Sequence, residues 1–543
     1  SLDLPAAQVR LALAGVGGAF GAREDVSMQI HACLLALRTG RPVKMVYSRQ
    51  ESFFGHVHRH PARLEYEHGA DTGGRLVYVR ARIVLDGGAY TSSSRAVCAN
   101  AACFAIGPYR CPNADLEAVV AYTNNPPCGA MRGFGAVQTC FAYESQMDRL
   151  AGALGLDPLE LRMRNALREG DRLPTGQRLE GGVPVVELLR RMRDAPLPAA
   201  AGSVRDLREL PGGVANTTHG EGLRRGVGYA AGFKNVGYSE GFDDFSTAGV
   251  RLEIGPGGPR VAVRTAAAEV GQGLVTVCAQ IARTELGVDD VTVTDADTRI
   301  GSSGSSSASR QTYCTGGAVR AACLAVRERV LALWVARTES LAEDADRLLL
   351  RQGMVVTPEG RAVMLLADLL GGEAIEETRE FHHRPTGSLD PLSGQGEAHL
   401  QFAFAAHRAV VDVDLDLGLV RVVEIATAQD VGRAMNPQGV EGQMEGGAAQ
   451  GLGLALMEEI QVVEGRVRNP SFTDYLIPTI LDMPPVRTEI LELADPEAPY
   501  GLKGVGEPPV ISSTPAIVAA VRAATGRKLD RVPLRPDDIA GLT

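Results

Sequence analysis

Glu507 lies in the stretch GLKGVGEPPVISS, residues 501–513, with two glycines shortly before it and two prolines directly after it. A carboxylate is a side chain that can take a proton from a reacting group and later release it. Gly504 and Gly506 open backbone angles closed to other residues, while Pro508 fixes its own φ and steers the residue before it away from helical geometry. The spacing therefore predicts a rigid, irregular loop that presents one acid. Its neighbours Val505, Val510 and Ile511 are apolar, and burial in such company disfavours the charged form of a carboxylate, the direction a general base needs. The same glycines and prolines also suit a plain surface turn.

Other residues with chemical potential sit in similar loops. Arg132 stands between Gly129 and Gly133 in TNNPPCGAMRGFGAVQ, where a planar guanidinium suits either an anionic or electron-rich flat group or a structural salt bridge. Glu24 follows GVGGAFGAR near the first turn of a helical pattern, beside a loop open to a polar ligand or simply as a complement to the helix dipole. That loop lacks G-x-G-x-x-G, because Phe20 stands where the third glycine belongs, so a dinucleotide fingerprint is not met. A glycine loop at a helix start still offers backbone N–H groups to an anion or a polar cofactor. Gln272, between Gly271 and Gly273, repeats the arrangement in EVGQGLVTVCAQ. The run GSSGSSSASRQTYCTGGAV, residues 301–319, has the composition of a linker, yet it leads straight into an apolar helix, so it reads as an anion cradle. In NPQGVEGQMEGGAAQGLGLALMEE, Gln443 and Gln450 fall two turns apart on one helical face. Each glycine inside a helix costs about 1 kcal/mol, so something must pack closely against this one. His56, His58 and His60 alternate but are diluted by Arg59, Pro61 and Arg63. They read as a solvated strand, not as metal ligands.

The elements that must position these residues follow from periodicity and stop signals. Residues 9–13 read as a strand, 26–37 as a helix stopped by Thr39-Gly40, 76–85 as strand, and 139–154 as a helix ended by Gly155. Strands follow at 250–254 and 260–265, a helix at 318–333, and paired strands over 402–428 after GSLDPLSGQGEAHL. The Pro-, Gly-, Arg- and Ala-rich segment 194–220 marks a boundary, giving domains 1–195 and 196–543. The length of 543 residues exceeds one compact core. A net charge of −10 excludes nucleic acid as a main partner, and no apolar run reaches the ~18 residues of a membrane span. The nine cysteines show no CxxC and no ferredoxin-like spacing, so the chain itself is expected to hold no iron-sulfur cluster, zinc or disulfide framework. Cytoplasm is the default location. The chain opens on Ser1 inside an element and reads as one piece of something longer.

The ordered motifs GGAFGARED, GAMRGFG, EVGQG, SSASRQTYCTGGA, VGRAMNPQGVEGQ with QGLGLAL, and KGVGEPP resemble the molybdenum-cofactor subunit of the xanthine dehydrogenase family, from Val9 to Gly526. The resemblance implies an α+β fold of two elongated domains with mixed sheets and flanking helices. Between them they would grip molybdopterin, or molybdopterin cytosine dinucleotide, whose molybdenum is held by the pterin with no direct protein ligand. On the matching positions it implies Glu507 as the base beside the metal, Phe20 and Gly21 as the loop beneath it, and Glu24 with Arg132 as the pair that orients a purine. Gln272 with its flanking Gly271 and Gly273, Ala308, Ser309, Gln443 and Gly506 match the cofactor-facing positions. Tyr238 and Ser239 fall where xanthine oxidases carry an aromatic and a hydroxyl residue in the substrate pocket.

Three departures stand out. Gly133 occupies the place of the copper-bridging cysteine of carbon monoxide dehydrogenases, which argues against that reaction. Gly182 replaces a ring-stacking aromatic expected after Leu-Glu-Gly. The family's upstream region lies before Ser1. The implied chemistry is water-dependent hydroxylation of a purine, hypoxanthine or xanthine to urate. Its electrons would leave through a [2Fe-2S] subunit and an FAD subunit, and a further chain would supply the upstream part. An aldehyde or other N-heterocycle hydroxylase would need neither Glu24 nor Arg132, and a non-catalytic assembly subunit or fragment would need no metal.

Overall fold

The first third of the chain forms α1 (Met28–Thr39), α2 (Arg49–Gly55), β1 (Ala62–Ala70), β2 (Leu76–Gly88), α3 (Ser94–Cys103), β3 (Ala114–Tyr122), α4 (Ala136–Leu154), α5 (Pro158–Asn165) and α6 (Val185–Asp194). This computed structural model describes residues 3–13, 15–199, 206–339 and 341–542. β1 runs antiparallel and β3 parallel to the central strand β2, and α4 lies over the sheet with Gly155 closing it in a left-handed C-cap.

The middle third carries β4 (Leu223–Val236), β5 (Phe245–Gly255), β6 (Gly258–Thr265), α7 (Leu274–Leu286), β7 (Asp290–Val293), α8 (Gln311–Thr338) and α9 (Ala342–Ala345). A small sheet of β8 (Leu349–Arg351), β9 (Met354–Val356) and β10 (Ala362–Leu365) then leads into α10 (Leu366–Leu370) and β11 (Ile375–His382). The order β11-β5-β6-β7 makes a mixed sheet, covered by α7 and α8.

The last third gives β12 (Gln401–Asp414), β13 (Leu419–Asp430), α11 (Pro437–Leu456), the short pair β14 (Val462–Val463) and β15 (Arg466–Val467), β16 (Val486–Leu491), α12 (Pro508–Ile511), α13 (Ser513–Thr525) and α14 (Pro536–Ala540). The sheet β16-β13-β12-β4 joins it to the middle of the chain, with β16 parallel to β13 and the other pairs antiparallel. One apolar core runs through both halves: Phe104, Met147 and Leu189 share it with Phe233, Phe404 and Ile511.

Two expectations fail here. The strand over 9–13 does not form. Ala12 alone bridges Asp297, because the facing segment goes into a short helical turn at Thr298. The histidines are not a solvated strand either: His60 is buried against the Ser94 hydroxyl at 2.8 Å, and His58 bonds the Phe53 carbonyl at 2.8 Å. Burial, aided by the Arg59 charge, pulls His60 down to about 4, which makes it a neutral packing residue at pH 7.

The glycine-rich α11 does have a close neighbour. A Cβ at Gly447 would lie 2.3 Å from the Pro509 Cβ, and one at Gly451 would lie 1.9 Å from the Ser513 Oγ, so α12 and the start of α13 sit directly on its backbone. We predict that Gly451→Ala costs about 1 to 3 kcal/mol by overpacking. Thermal unfolding checks this, and an unchanged Tm would contradict the packing argument.

Candidate cofactor and active-site cleft

Loops and helix starts from distant parts of the chain meet in a cleft of about 1030 Å³. Phe20, Gly21, Glu24, Arg132, Tyr238, Ser239, Gly271, Gln272, Gly273, Ala308, Ser309, Gln443, Gly506 and Glu507 all line it. The N-cap residues of three helices, Gly273 of α7, Arg310 of α8 and Asn436 of α11, line it as well. Helix N-termini carry partial positive charge, so their presence together suits an anionic group. At Gly271, Gly273 and Gly442 an added Cβ would meet nothing within 4 Å, which leaves room for a ligand beside them, while the Gly271, Gly273 and Val275 amides themselves donate to the Glu269 carboxylate.

Glu507 is 8% exposed. Its Oε1 accepts from the Gly133 amide at 3.1 Å, and its backbone N–H donates to the Ser309 Oγ at 3.0 Å. Its buried Oε2 has no partner. Gly133 holds φ +98, a conformation costly for any residue with a Cβ, so glycine is needed there to aim an amide at the carboxylate. The backbone of Glu507 departs from expectation, being helical (φ −93, ψ −38) and capping α12. Pro508 and Pro509 fill the first turn, where missing N–H groups cost nothing. Gly504 and Gly506 are not at positive φ. Gly504 is required by close approach instead, since a Cβ there would come 2.6 Å from the Ser309 carbonyl oxygen.

Arg132 is not displayed as its flanking glycines suggest. It is 7% exposed, with Nε donating to the Gly506 carbonyl, Nη2 to the Gln443 carbonyl at 2.9 Å and Nη1 to the Gln450 Oε1 at 3.4 Å. Burial pulls its guanidinium down to about 10 against the opposing charge of Glu507, so it stays protonated at neutral pH. The fork ties the Glu507 loop to α11 with three of its five donors. Glu24 does face the cleft. Ser305 Oγ donates to its Oε1 at 3.2 Å, and burial pushes its carboxyl above the usual range, opposed by the Ser307 and Ser305 hydroxyls and reinforced by Glu507.

The serine run is an ordered wall. Arg310, fully buried, donates from Nε to the Asp244 Oδ2 at 2.5 Å, from Nη1 to the carbonyls of Ser303 at 2.8 Å and Ser305 at 2.9 Å, and from Nη2 to that of Phe245 at 2.7 Å. Ala308 and Ser309, both at φ +52, form the bend that reaches Gly237 and Glu507. Gln272 folds back on its own loop, accepting from Val270 N and donating to the Ala268 carbonyl. Tyr238 Oη pairs with the Ser307 Oγ at 2.8 Å, and Ser239 Oγ with Asn235 at 2.9 Å and His399 at 2.9 Å.

Sequence reasoning missed Lys234, Asn100, Phe134 and Phe242, which also line the cleft. A lone lysine in the apolar run GYAAGFKNV was the available signal. Gly182 lies outside the lining, its Cβ position 2.8 Å from the Leu493 Cδ1, while Phe134 and Phe242 supply rings to the cleft. Among the described residues no three His, Cys, Asp or Glu side chains stand together as a metal site, and no helix is long and apolar enough to cross a membrane.

A wide cleft with glycine walls, three helix starts in its lining and one orphaned buried carboxylate oxygen fits a phosphate-bearing cofactor that brings its own metal. The molybdopterin cofactor-binding domain matches residues 1–166, and a second such domain matches 204–484, which places the protein among the molybdenum hydroxylases. A probable xanthine dehydrogenase subunit of Bacillus subtilis (strain 168) is 34% identical over 547 residues, covering 99% of this chain and 69% of that protein. The aldehyde oxidoreductase structure from Desulfovibrio gigas superposes with a TM-score of 0.82 at 27% identity, covering 99% of this chain and 55% of that one. Quinoline 2-oxidoreductase from Pseudomonas putida 86 gives 0.82 at 29% identity, over 98% of this chain and 68% of that one. The chain belongs to the molybdopterin cofactor-binding family of xanthine dehydrogenase-type molybdenum hydroxylases.

Proposed function

We propose that the chain is the molybdenum subunit of an enzyme that hydroxylates a purine, hypoxanthine or xanthine to urate, with water as the oxygen source. The observation that carries this reading is the buried, unpartnered Oε2 of Glu507 at a cleft shared with Glu24. The balance is substrate C–H plus water giving C–OH, two protons and two electrons. Bound in the cleft, the molybdenum centre supplies the two-electron oxidation. Glu507 takes up a proton at Oε2 while its Oε1 stays anchored on the Gly133 amide. Glu24 hydrogen-bonds the heterocycle edge. Arg132 acts as a positioning residue, fixing the Glu507 loop against α11. Gly271, Gly273, Ser309 and the N-terminus of α11 would hold the pterin and its phosphate, as molybdopterin or as its cytosine dinucleotide. Phe20 and Gly21 would flank the cofactor's metal end, while Tyr238 and Ser239 would border the substrate. A [2Fe-2S] chain and an FAD chain carry the electrons away in a cytoplasmic complex. The division into domains near residue 195 is supported by the gap between matched segments 1–166 and 204–484.

A second reading, an aldehyde or other N-heterocycle hydroxylase, is favoured by the commitment of Arg132 to protein acceptors. A panel of xanthine, hypoxanthine, quinoline and benzaldehyde with the molybdenum-loaded complex separates the two. We predict that Glu24→Ala costs about 1 to 3 kcal/mol in kcat/KM toward purines and little toward benzaldehyde. Arg132→Ala should slow every substrate alike, because it releases the Glu507 loop. Turnover of benzaldehyde alone, untouched by Glu24→Ala, would overturn the purine reading.

A further inference from the structure

Lys234 is only 2% exposed and lines the cleft from β4, where it pairs in register with Ala403. Its Nζ donates to the side-chain oxygens of Asn100, at 3.3 Å, and Asn235, and it lies 5.5 Å from the ring centre of Phe104 and 6.0 Å from that of Phe134. An ammonium has three donors, and these amides take two. Among the described residues no carboxylate reaches Lys234 or Arg132 as an ion pair, whereas two other buried cations of the cleft are matched, Arg310 by Asp244 and Lys503 by Asp430. Burying a charge without a counter-charge is costly. Burial accordingly pulls the Lys234 ammonium down, and the nearby charge of Glu507 holds it up.

Building on the proposed hydroxylation, we propose that Lys234, flanked by Asn100, is the specificity-determining cation of the substrate pocket and takes an anionic oxygen, a ring oxo group or a carboxylate, of a heteroaromatic substrate. Three features support this. Lys234 shares the cleft with Glu507, so a ring held on the ammonium lies within the space the base serves. The ring of Phe134 borders the same space and offers a flat substrate an apolar face. Arg132, the other cation expected to grip the substrate, is engaged by protein oxygens. Charge that builds on the heterocycle during attack at its ring carbon would be met by a fixed positive group.

The test is calorimetric titration of the purified, molybdenum-loaded complex with two ligand pairs, xanthine against purine and nicotinate against nicotinamide. The wild type is expected to bind the oxygen-rich or anionic member of at least one pair more tightly. Lys234→Met should weaken that member roughly tenfold to a hundredfold while leaving its counterpart within about twofold, with molybdenum content and Tm measured on the same preparations. A wild-type complex with no preference in either pair overturns the assignment whether or not the variant folds. So does a Lys234→Met complex that folds, keeps its metal and keeps its preference. Loss of preference with heterocycle turnover still present in the wild type supports Lys234 in this role, whereas a complex that turns over no heterocycle at all sinks the hydroxylase reading separately.

Discussion

Glu507→Gln is expected to fold, load its cofactor and then fail at the chemical step. Glutamine keeps the size of glutamate and one acceptor oxygen, so the bond from the Gly133 amide survives, and the Ser309 contact survives because it uses the backbone N–H of residue 507. What is lost is the ability of the second position to take a proton, and removing such a base costs about 10²- to 10⁴-fold in rate. Glu507→Asp should fail as well. The shorter side chain pulls the carboxylate back by about 1 Å, and either the Gly133 anchor or the reach into the cleft is given up. Molybdenum content, melting temperature and the rate of substrate-driven reduction belong on the same preparations. A near-normal rate in a fully loaded Gln variant would return residue 507 to the status of a turn.

The second large effect is structural. Asp244→Ala strands the Arg310 guanidinium in a site with no exposure, and an uncompensated buried charge costs about 3 to 5 kcal/mol. The loss should not stay local. Arg310 also carries the carbonyls of Ser303 and Ser305, so the wall formed by the serine run loosens together with the Ala308-Ser309 bend that meets Glu507. The expected result is a lower melting temperature accompanied by reduced cofactor content. Wild-type stability and full loading would show that the serine wall stands without its ion pair.

Much of the cleft was legible because glycine loops mark helix starts, and helix starts are where a polar ligand can meet bare backbone. The serine run read correctly as ordered and not as a linker because an apolar helix follows it, though α8 begins at Gln311, earlier than hydrophobic periodicity alone suggests. What escaped detection was set by tertiary context. The local spacing around Arg132 says only that the chain turns there; that its guanidinium meets Gly506 and Gln443 depends on residues more than three hundred positions away. Glu507 adopted helical angles before a proline because the packing of α12 on α11 outweighs a local preference. Lys234 was invisible because a strand pattern reports which face is buried but not whether that face borders a core or a cleft.

The latch between residues 133 and 507 spans 374 positions of sequence, and the Ser309 contact spans 198. Contacts of such separation are paid for in loop-closure entropy before they return any stability. During synthesis, the helix starts of α7, α8 and α11 have left the ribosome while the acid that faces them has yet to be translated. In chain order Glu507 follows every helix start that faces it, so a nascent polypeptide can form that wall before the carboxylate it meets has been made.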